Sequence, residues 1–192
     1  MPFFNTKNMA CDLTLGRLEP CKDSVAGLKN VYFVPYGDDG LAISYDTTDT
    51  DVIDLLGVAV PAFKYELRGT SSFEQTVSSS RDNGTTFFEQ TLTLSLKKLT
   101  KEDHKEIKIL CYGRPHVIVE TNNGDLFYAG LEHGMDVNGG TVANGTAMGD
   151  FVGYTLTLVG QEKTPANFLI PASGSTIDAK LTALGVTVTV GT

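Results

Sequence analysis

The sequence has few positive charges and no long apolar run. Its 192 residues carry 15 Lys and Arg against 23 Asp and Glu, a formal net charge of −8. Because affinity for nucleic acid comes from clustered cations, this balance argues against a protein that binds DNA or RNA tightly. It does not argue against a protein that DNA passes without being bound. No apolar run approaches the roughly 20 residues that cross a bilayer, and the first residues lack the pattern of a secretory signal. We therefore expect no membrane partner.

Cysteine is also scarce. The three cysteines, Cys11, Cys21 and Cys111, form no CxxC pair, and their odd number does not fit a disulfide framework. Reduced thiols are usual in proteins that fold in a cytosol, so we expect folding there. Hydrophobic residues make up 41% of the chain, which is enough for the core of one domain and argues against wholesale disorder.

A glycine-rich run after Val137 lacks the features of a phosphate site. A P-loop needs GxxxxGK[ST], and although Gly140 and Gly145 have the right separation, Thr146 and Ala147 follow them, so the lysine is missing. No GxGxxG motif occurs. The alternating residues that come next predict a strand, which leaves no helix N-terminus to hold an anion. The run therefore predicts no nucleotide site.

Metal and catalytic spacings are missing too. Zinc ligands come in pairs at short spacings, whereas the candidates here are scattered. The segment DTTDTDVID lacks the glycine and terminal glutamate of a calcium loop, and no GxSxG surrounds Ser78–Ser80. The side chains considered are His104, Cys111, His116 and His133 for zinc, and Asp46, Asp49, Asp51 and Asp54 for calcium. We expect no catalytic residue, no cofactor, no metal ion and no enzymatic activity.

What the sequence does contain is a series of β-strand patterns. Val31–Val34 predicts a buried strand, and Ala62–Arg68 predicts another. Two Asn-Gly turns, at Asn83 and Asn123, predict hairpins. The predicted hairpin arms are Ser71–Ser80 with Thr85–Leu96, and His116–Thr121 with Asp125–Ala129. A further strand is predicted over Phe151–Val159.

In one of these hairpin arms, apolar and polar residues alternate. Leu92, Leu94 and Leu96 alternate with Thr91, Thr93 and Ser95. This alternation is typical of a strand in a sheet that buries one side and exposes the other.

One helix is predicted, over about residues 100–112. Thr100 is the expected N-cap with Asp103 three residues later, and Gly113 is the expected C′ residue. The face shared at helical spacing consists of His104, Ile107, Leu110 and Cys111. A short helical turn is also expected after Asp51.

The order of elements, strands then a helix then strands, predicts an α+β fold dominated by antiparallel sheet. A β-domain is expected over residues 1–163. The remaining residues, 164–192, are expected to form a C-terminal extension or an extra strand, because Val186, Val188 and Val190 alternate with threonines. This strand could pack on its own domain or pair with a neighbouring copy.

The segment Phe87–Glu162 resembles bacteriophage tail tube proteins, also called major tail proteins. The matching elements are a strand, the helix near residues 105–110, the hairpin that carries GDLFYAG, the glycine-rich run, and the closing GDFVGYTLTLVG. The resemblance covers about 76 of the 192 residues, and no matching motif precedes Tyr65 or follows Lys163.

The resemblance implies a small β-sandwich or barrel with one flanking helix, whose copies form hexameric rings that stack into a tube. The inner strands would join into a continuous barrel around a channel, and loops and terminal arms would contact the next ring. The implied partners are further copies of the chain, the tape-measure protein, other tail proteins, and DNA that passes without specific binding. The implied location is the virion tail, after assembly in the host cytoplasm.

Two groups of residues are candidates for roles in such an assembly. The channel lining or outer wall could be formed by the polar faces of two strands: Thr91, Thr93, Ser95, Thr155 and Thr157. Contacts between subunits could be made by acidic and glycine-rich loops: Asp38, Asp39, Asp46, Asp49, Asp51, Gly139, Gly140, Asn144 and Gly145. The glycine-rich run is expected to be an arm that orders against a neighbouring subunit, or a plain surface loop.

Two alternatives stay open. One is another phage structural β-protein, such as a head decoration or tail terminator subunit. The other is a carbohydrate-binding β-sandwich, which usually displays aromatic side chains; the chain has no tryptophan. Four tyrosines could partly substitute: Tyr32, Tyr36, Tyr45 and Tyr65.

Overall fold

The computed structural model describes residues 15–19, 21–37, 41–49, 51–170 and 176–191. These residues form twelve strands and two helices. In chain order they are β1 Leu28–Val34, β2 Leu41–Tyr45, β3 Val52–Gly57, β4 Val60–Glu66, β5 Ser72–Ser80, β6 Thr85–Lys97, α1 Lys101–Tyr112, β7 His116–Thr121, β8 Leu126–Ala129, β9 Asp136–Ala143, β10 Gly153–Glu162, β11 Asn167–Leu169, α2 Ile177–Ala183 and β12 Val186–Val190.

The strands form two sheets. Sheet A has eight strands in the order β12-β4-β1-β7-β8-β11-β3-β2, and sheet B has four in the order β5-β6-β10-β9. β11 pairs with β3, and β12 with β4, in parallel, while the other described pairs are antiparallel. The prediction of an α+β, mainly antiparallel fold is confirmed.

One hydrophobic cluster lies between the two sheets. Sheet A contributes side chains such as Val31 and Val117, sheet B contributes Leu94 and Leu156, and α1 contributes Ile107. Each sheet therefore covers one face of the other. A sheet must bury its apolar face against another layer, and here the two sheets supply that layer for each other.

A second hydrophobic cluster lies on the opposite face of sheet A. Tyr32 and Ile118 point to it, because they alternate with the residues of the first cluster, and Leu181 of α2 packs there. The central strand β1 is consequently covered on both faces, so Val31–Val34 are all buried. An unbroken apolar run is what a strand buried on both faces requires.

Both predicted hairpins are confirmed. β5 pairs with β6 across the turn that contains Gly84, and β7 pairs with β8 across the turn that contains Gly124. The φ angles of these glycines are +63° and +88°, a left-handed conformation that glycine adopts without steric cost. Two short sequence signals therefore predict two hairpins of the fold.

The predicted helix is confirmed as α1. The Thr100 hydroxyl accepts a hydrogen bond from the Asp103 backbone N–H at 3.0 Å, as an N-cap does. Gly113 follows the helix as its C-terminal cap, with a φ of −88°. Of the four residues that share one face, Ile107 is buried and Leu110 is half-buried, whereas His104 and Cys111 are exposed.

Other differences concern the segment after Asp51 and part of the C-terminal segment. Residues after Asp51 form β3 rather than a helical turn, since they pair with β2 on one side and with β11 on the other. The segment from 164 onward joins sheet A. β11, which the sequence did not predict, lies between β8 and β3, whereas Val186–Val190, expected as an extra strand, form β12, which pairs with β4 of the same chain. Helix α2, which separates β11 from β12, was also not predicted.

Candidate functional site

Sheet B has one polar face that no described element covers, here called the open face. Thr93 of β6 lies directly opposite Thr157 of β10, and Ser95 lies opposite Thr155. Thr91 continues the same row. The structure thus brings all five predicted polar-face residues together on one surface, where each is partly exposed. The leucines between them, Leu92 and Leu94, are fully buried on the other side.

The charged side chains of sheet B are almost all acidic. Glu74 of β5 lies opposite Thr91, and Glu89 lies opposite Gln161, whose amide donates to its carboxylate at 3.1 Å. Asp136 lies at the start of β9. The only cation in the four strands is Lys97, at the end of β6. Such a surface has little attraction for phosphate.

The acidic positions of the open face were not singled out from the sequence. In β5, Glu74 lies between Phe73 and Gln75. Because successive residues of a strand face opposite sides of the sheet, this alternation could have placed Glu74 on the open face. The position of Asp136 could not be found this way, because the glycines that follow it in β9 carry no side chain to form a pattern.

The two outer strands of sheet B are here called the free edges. Within the described residues, β5 pairs only with β6 and β9 pairs only with β10. Each therefore presents a row of backbone N–H and C=O groups on its outer side. Such a row is a template for another strand.

The first half of the glycine-rich run is strand β9 itself. The prediction of an arm or loop is therefore wrong for Gly139 and Gly140, which pair with Thr157 and Leu156 of β10. A Cβ atom on Gly140 would lie 2.5 Å from the Thr155 carbonyl oxygen, whereas one on Gly139 would meet nothing within 4 Å. Gly140 is thus required by a close approach between two strands.

The second half of the run forms the loop between β9 and β10. It contains Asn144 and Gly145, as predicted for a loop, and Gly145 has a φ of +58°. The Asp150 carboxylate accepts hydrogen bonds from the backbone N–H groups of Thr146 and Ala147 at 2.8 and 2.7 Å. These bonds lower the pKa of Asp150 and close the loop on itself.

The acidic loop between β2 and β3 belongs to sheet A, not to sheet B. The Asp46 carboxylate accepts hydrogen bonds from the N–H groups of Thr48 and Asp49 at 2.6 and 3.1 Å, which lowers the pKa of Asp46. Asp49 in turn accepts from the N–H of Asp51 at 3.0 Å. These aspartates shape their own turn. Asp38 and Asp39 lie outside the described residues.

A polar cavity of about 480 Å³ opens beside β1, β4 and α2. At its floor the buried Glu120 carboxylate accepts hydrogen bonds from Asn30 at 2.6 Å and Tyr32 at 3.0 Å, and Lys29 lies 3.2 Å away. Burial, together with the Glu120 charge, raises the pKa of Tyr32. The carboxylate is fully partnered by the chain itself, so its role is to satisfy buried polar groups.

Neither described helix has the length and apolar character that a membrane-crossing helix requires. The chain matches no family model, no curated protein and no solved structure.

Proposed function

We propose that this chain is a structural subunit that assembles edge to edge into rings, which stack into the tail tube of a bacteriophage. The observation that carries the proposal is the construction of sheet B. It has a free edge on each side, one open polar face, and a second face covered by sheet A. An exposed edge is a liability in a monomer, and pairing it with a further copy removes it.

The strand directions of sheet B are compatible with a closed ring. Its neighbouring strands all run antiparallel, and their number is even. The two edge strands, β5 and β9, therefore run in opposite directions. If β9 of one copy pairs with β5 of the next, the new pair is antiparallel as well, so the ladder continues unchanged around the ring. This is a head-to-tail contact, which closes when the rotation between copies divides a circle.

The open face is expected to line the inside of the ring. Sheet A and both helices lie behind the covered face of sheet B, and the bulkier layer of each subunit fits the larger outer circumference. Six copies, the number that the resemblance implies, give roughly 24 strands, and at about 4.8 Å per strand the barrel has a diameter of about 37 Å before strand tilt. Barrels with fewer strands already enclose aqueous channels.

The chemistry of the open face suits a channel for DNA. Threonine and serine hydroxyls with Glu74, Glu89 and Asp136 offer no cluster of cations to hold phosphate groups. A polyanion would therefore pass without binding.

The proposal is tested by electron microscopy and by blocking one edge at a time. Wild-type protein at high concentration is expected to form rings or tubes. Proline is introduced at adjacent positions of each edge strand, as Thr76→Pro and Val77→Pro in β5 and as Thr141→Pro and Val142→Pro in β9. Alternate residues of an edge strand direct N–H groups outward, so one variant of each pair removes only an outward donor. Circular dichroism identifies the variant that stays folded.

A folded edge variant is expected to remain monomeric. A mixture of the folded β5 variant and the folded β9 variant is expected to stop at a heterodimer, since one intact edge of each kind is left. Rings formed by either variant alone, or a wild-type protein that stays monomeric at high concentration, would refute edge-to-edge assembly.

A further inference from the structure

The chain crosses from sheet A to sheet B in a tight loop, residues 130–135, here called the crossover loop. The loop begins after β8 and ends where β9 starts. Gly130 and Gly134 have φ angles of +70° and +72°, and the Gly134 N–H donates to the Gly130 carbonyl at 3.2 Å. The loop between these glycines therefore projects the side chains of Glu132 and His133 from a fixed backbone.

A buried carboxylate from a distant strand faces this loop. Glu162, the last residue of β10, has a side chain that is only 1% exposed. Its Oε1 atom accepts hydrogen bonds from the backbone N–H groups of Glu132 and His133 at 3.0 and 2.8 Å. Its Oε2 atom has one polar contact among the described residues, 3.4 Å from His133 Nδ1.

This second contact is long for an ion pair. Charge-assisted N–H···O bonds are usually about 2.7–2.9 Å. Two ligands on a tetrahedral zinc ion, each bound at about 2.0 Å, lie roughly 3.3 Å apart. The separation of 3.4 Å between Glu162 Oε2 and His133 Nδ1 therefore fits two atoms that share a metal ion better than two atoms that share a proton.

We propose that Glu132, His133 and Glu162 bind a divalent transition-metal ion of the zinc class. One ligand atom from each lies within 4.8 Å of the others, and the exposed Glu132 side chain can rotate toward the ion. One imidazole nitrogen and two carboxylate oxygens suit zinc better than magnesium or calcium, which prefer oxygen ligands alone. Water completes the coordination.

The ion would act as a clamp. It ties the crossover loop to the end of β10, and thus fixes one of the points where the chain passes between the two sheets. It also supplies positive charge to Glu162 Oε2, which is otherwise a poorly partnered atom of a buried carboxylate. This role does not depend on whether the chain assembles into rings.

The test is a zinc titration of chelator-treated protein by calorimetry, with thermal unfolding as a second readout and Co²⁺ absorption as a probe of tetrahedral geometry. Wild-type protein is expected to bind one zinc ion per chain and to unfold at a higher temperature with zinc. His133→Ala and Glu132→Gln change exposed side chains, so both should fold, and each is expected to weaken zinc binding by at least about tenfold. His104→Ala, which removes an exposed histidine of α1, is the matched control and should bind as wild type does.

Absence of zinc binding to the wild-type protein at micromolar concentrations would overturn the proposal. Equal affinity in wild-type protein and His133→Ala would overturn it as well. Equal loss in His133→Ala and His104→Ala would show scattered surface binding instead of this site.

Discussion

At the scale of single residues, His116 shows how the fold fixes a protonation state. Its ring lies between those of Tyr36 and Tyr128, with centroid distances of 5.0 and 5.6 Å. Its Nδ1 atom lies 2.5 Å from the Gly130 carbonyl oxygen, and because a carbonyl can only accept, Nδ1 carries the proton. Burial lowers the pKa of His116, and this outweighs the opposing effects of the Gly130 carbonyl and the nearby Glu162 carboxylate.

The stability of the protein should therefore decrease in mild acid. The unfolded chain takes up a proton at His116 near pH 6.5, whereas the folded chain does so only at lower pH. The stability that neutral, buried His116 contributes is thus fully present above about pH 6.5 and is lost as the pH falls below that value. We expect the free energy of unfolding in the presence of a chelator to fall from about pH 7.5 to about pH 5.5, and to fall less in His116→Gln, whose amide can also donate to Gly130. An identical fall in both proteins would contradict this.

At the scale of elements, β9 is held in sheet B by close backbone approach instead of by side-chain packing. Most of its residues are exposed, and two adjacent glycines lie in its middle. The space beside them differs: a Cβ on Gly140 collides with β10, while a Cβ on Gly139 points into open space. The position of this free edge therefore depends on one glycine of the pair.

Valine substitution at each glycine separates the effect of the steric collision from the effect of losing glycine's backbone flexibility. Gly140→Val should push β9 away from β10 and lower the free energy of unfolding by roughly 1–3 kcal/mol. Gly139→Val should be close to neutral, since valine favours strands. Denaturant unfolding measures the stability, and hydrogen exchange of the β10 amides reports the separation of the strands. Equal destabilisation by both changes would mean that lost glycine flexibility, and not the collision, is responsible.

At the scale of the whole molecule, the two sheets differ in how their faces are covered. Sheet A has hydrophobic clusters on both faces, whereas sheet B has one covered face and one exposed face. The proposed tube makes use of this asymmetry, since the open face becomes the channel wall and the rest of the subunit becomes the outer shell.

A charge placed on the open face should therefore make the channel bind DNA. Tubes of Thr93→Arg are expected to retain short duplex DNA at low salt and to release it as salt rises, because each new phosphate contact adds counterion release. Tyr112→Arg introduces the same charge at an exposed position of α1, away from the open face, and serves as the control. Co-sedimentation of DNA with tubes measures retention. Equal retention by the two variants would argue against an open face that lines the channel.

The sequence by itself determined the elements whose signals are local. The two hairpins follow from Asn-Gly turns between alternating strands, and α1 follows from the Thr100 cap and its acidic first turn. The division of β6 into a leucine face and a threonine face was readable as well, because a strand places alternate residues on opposite sides.

Only the tertiary structure decided the elements and sites that depend on distant partners. β3, β11 and the glycine-rich β9 are strands because neighbouring strands complete their hydrogen bonds. No local periodicity of apolar residues in the sequence predicts them. Glu162 meets Glu132 and His133 because the crossover loop returns to the end of β10, about thirty residues along the chain. The physical reason is the range of the interactions: turns and caps form between near neighbours, whereas strand pairing and side-chain clusters form only once the chain has folded.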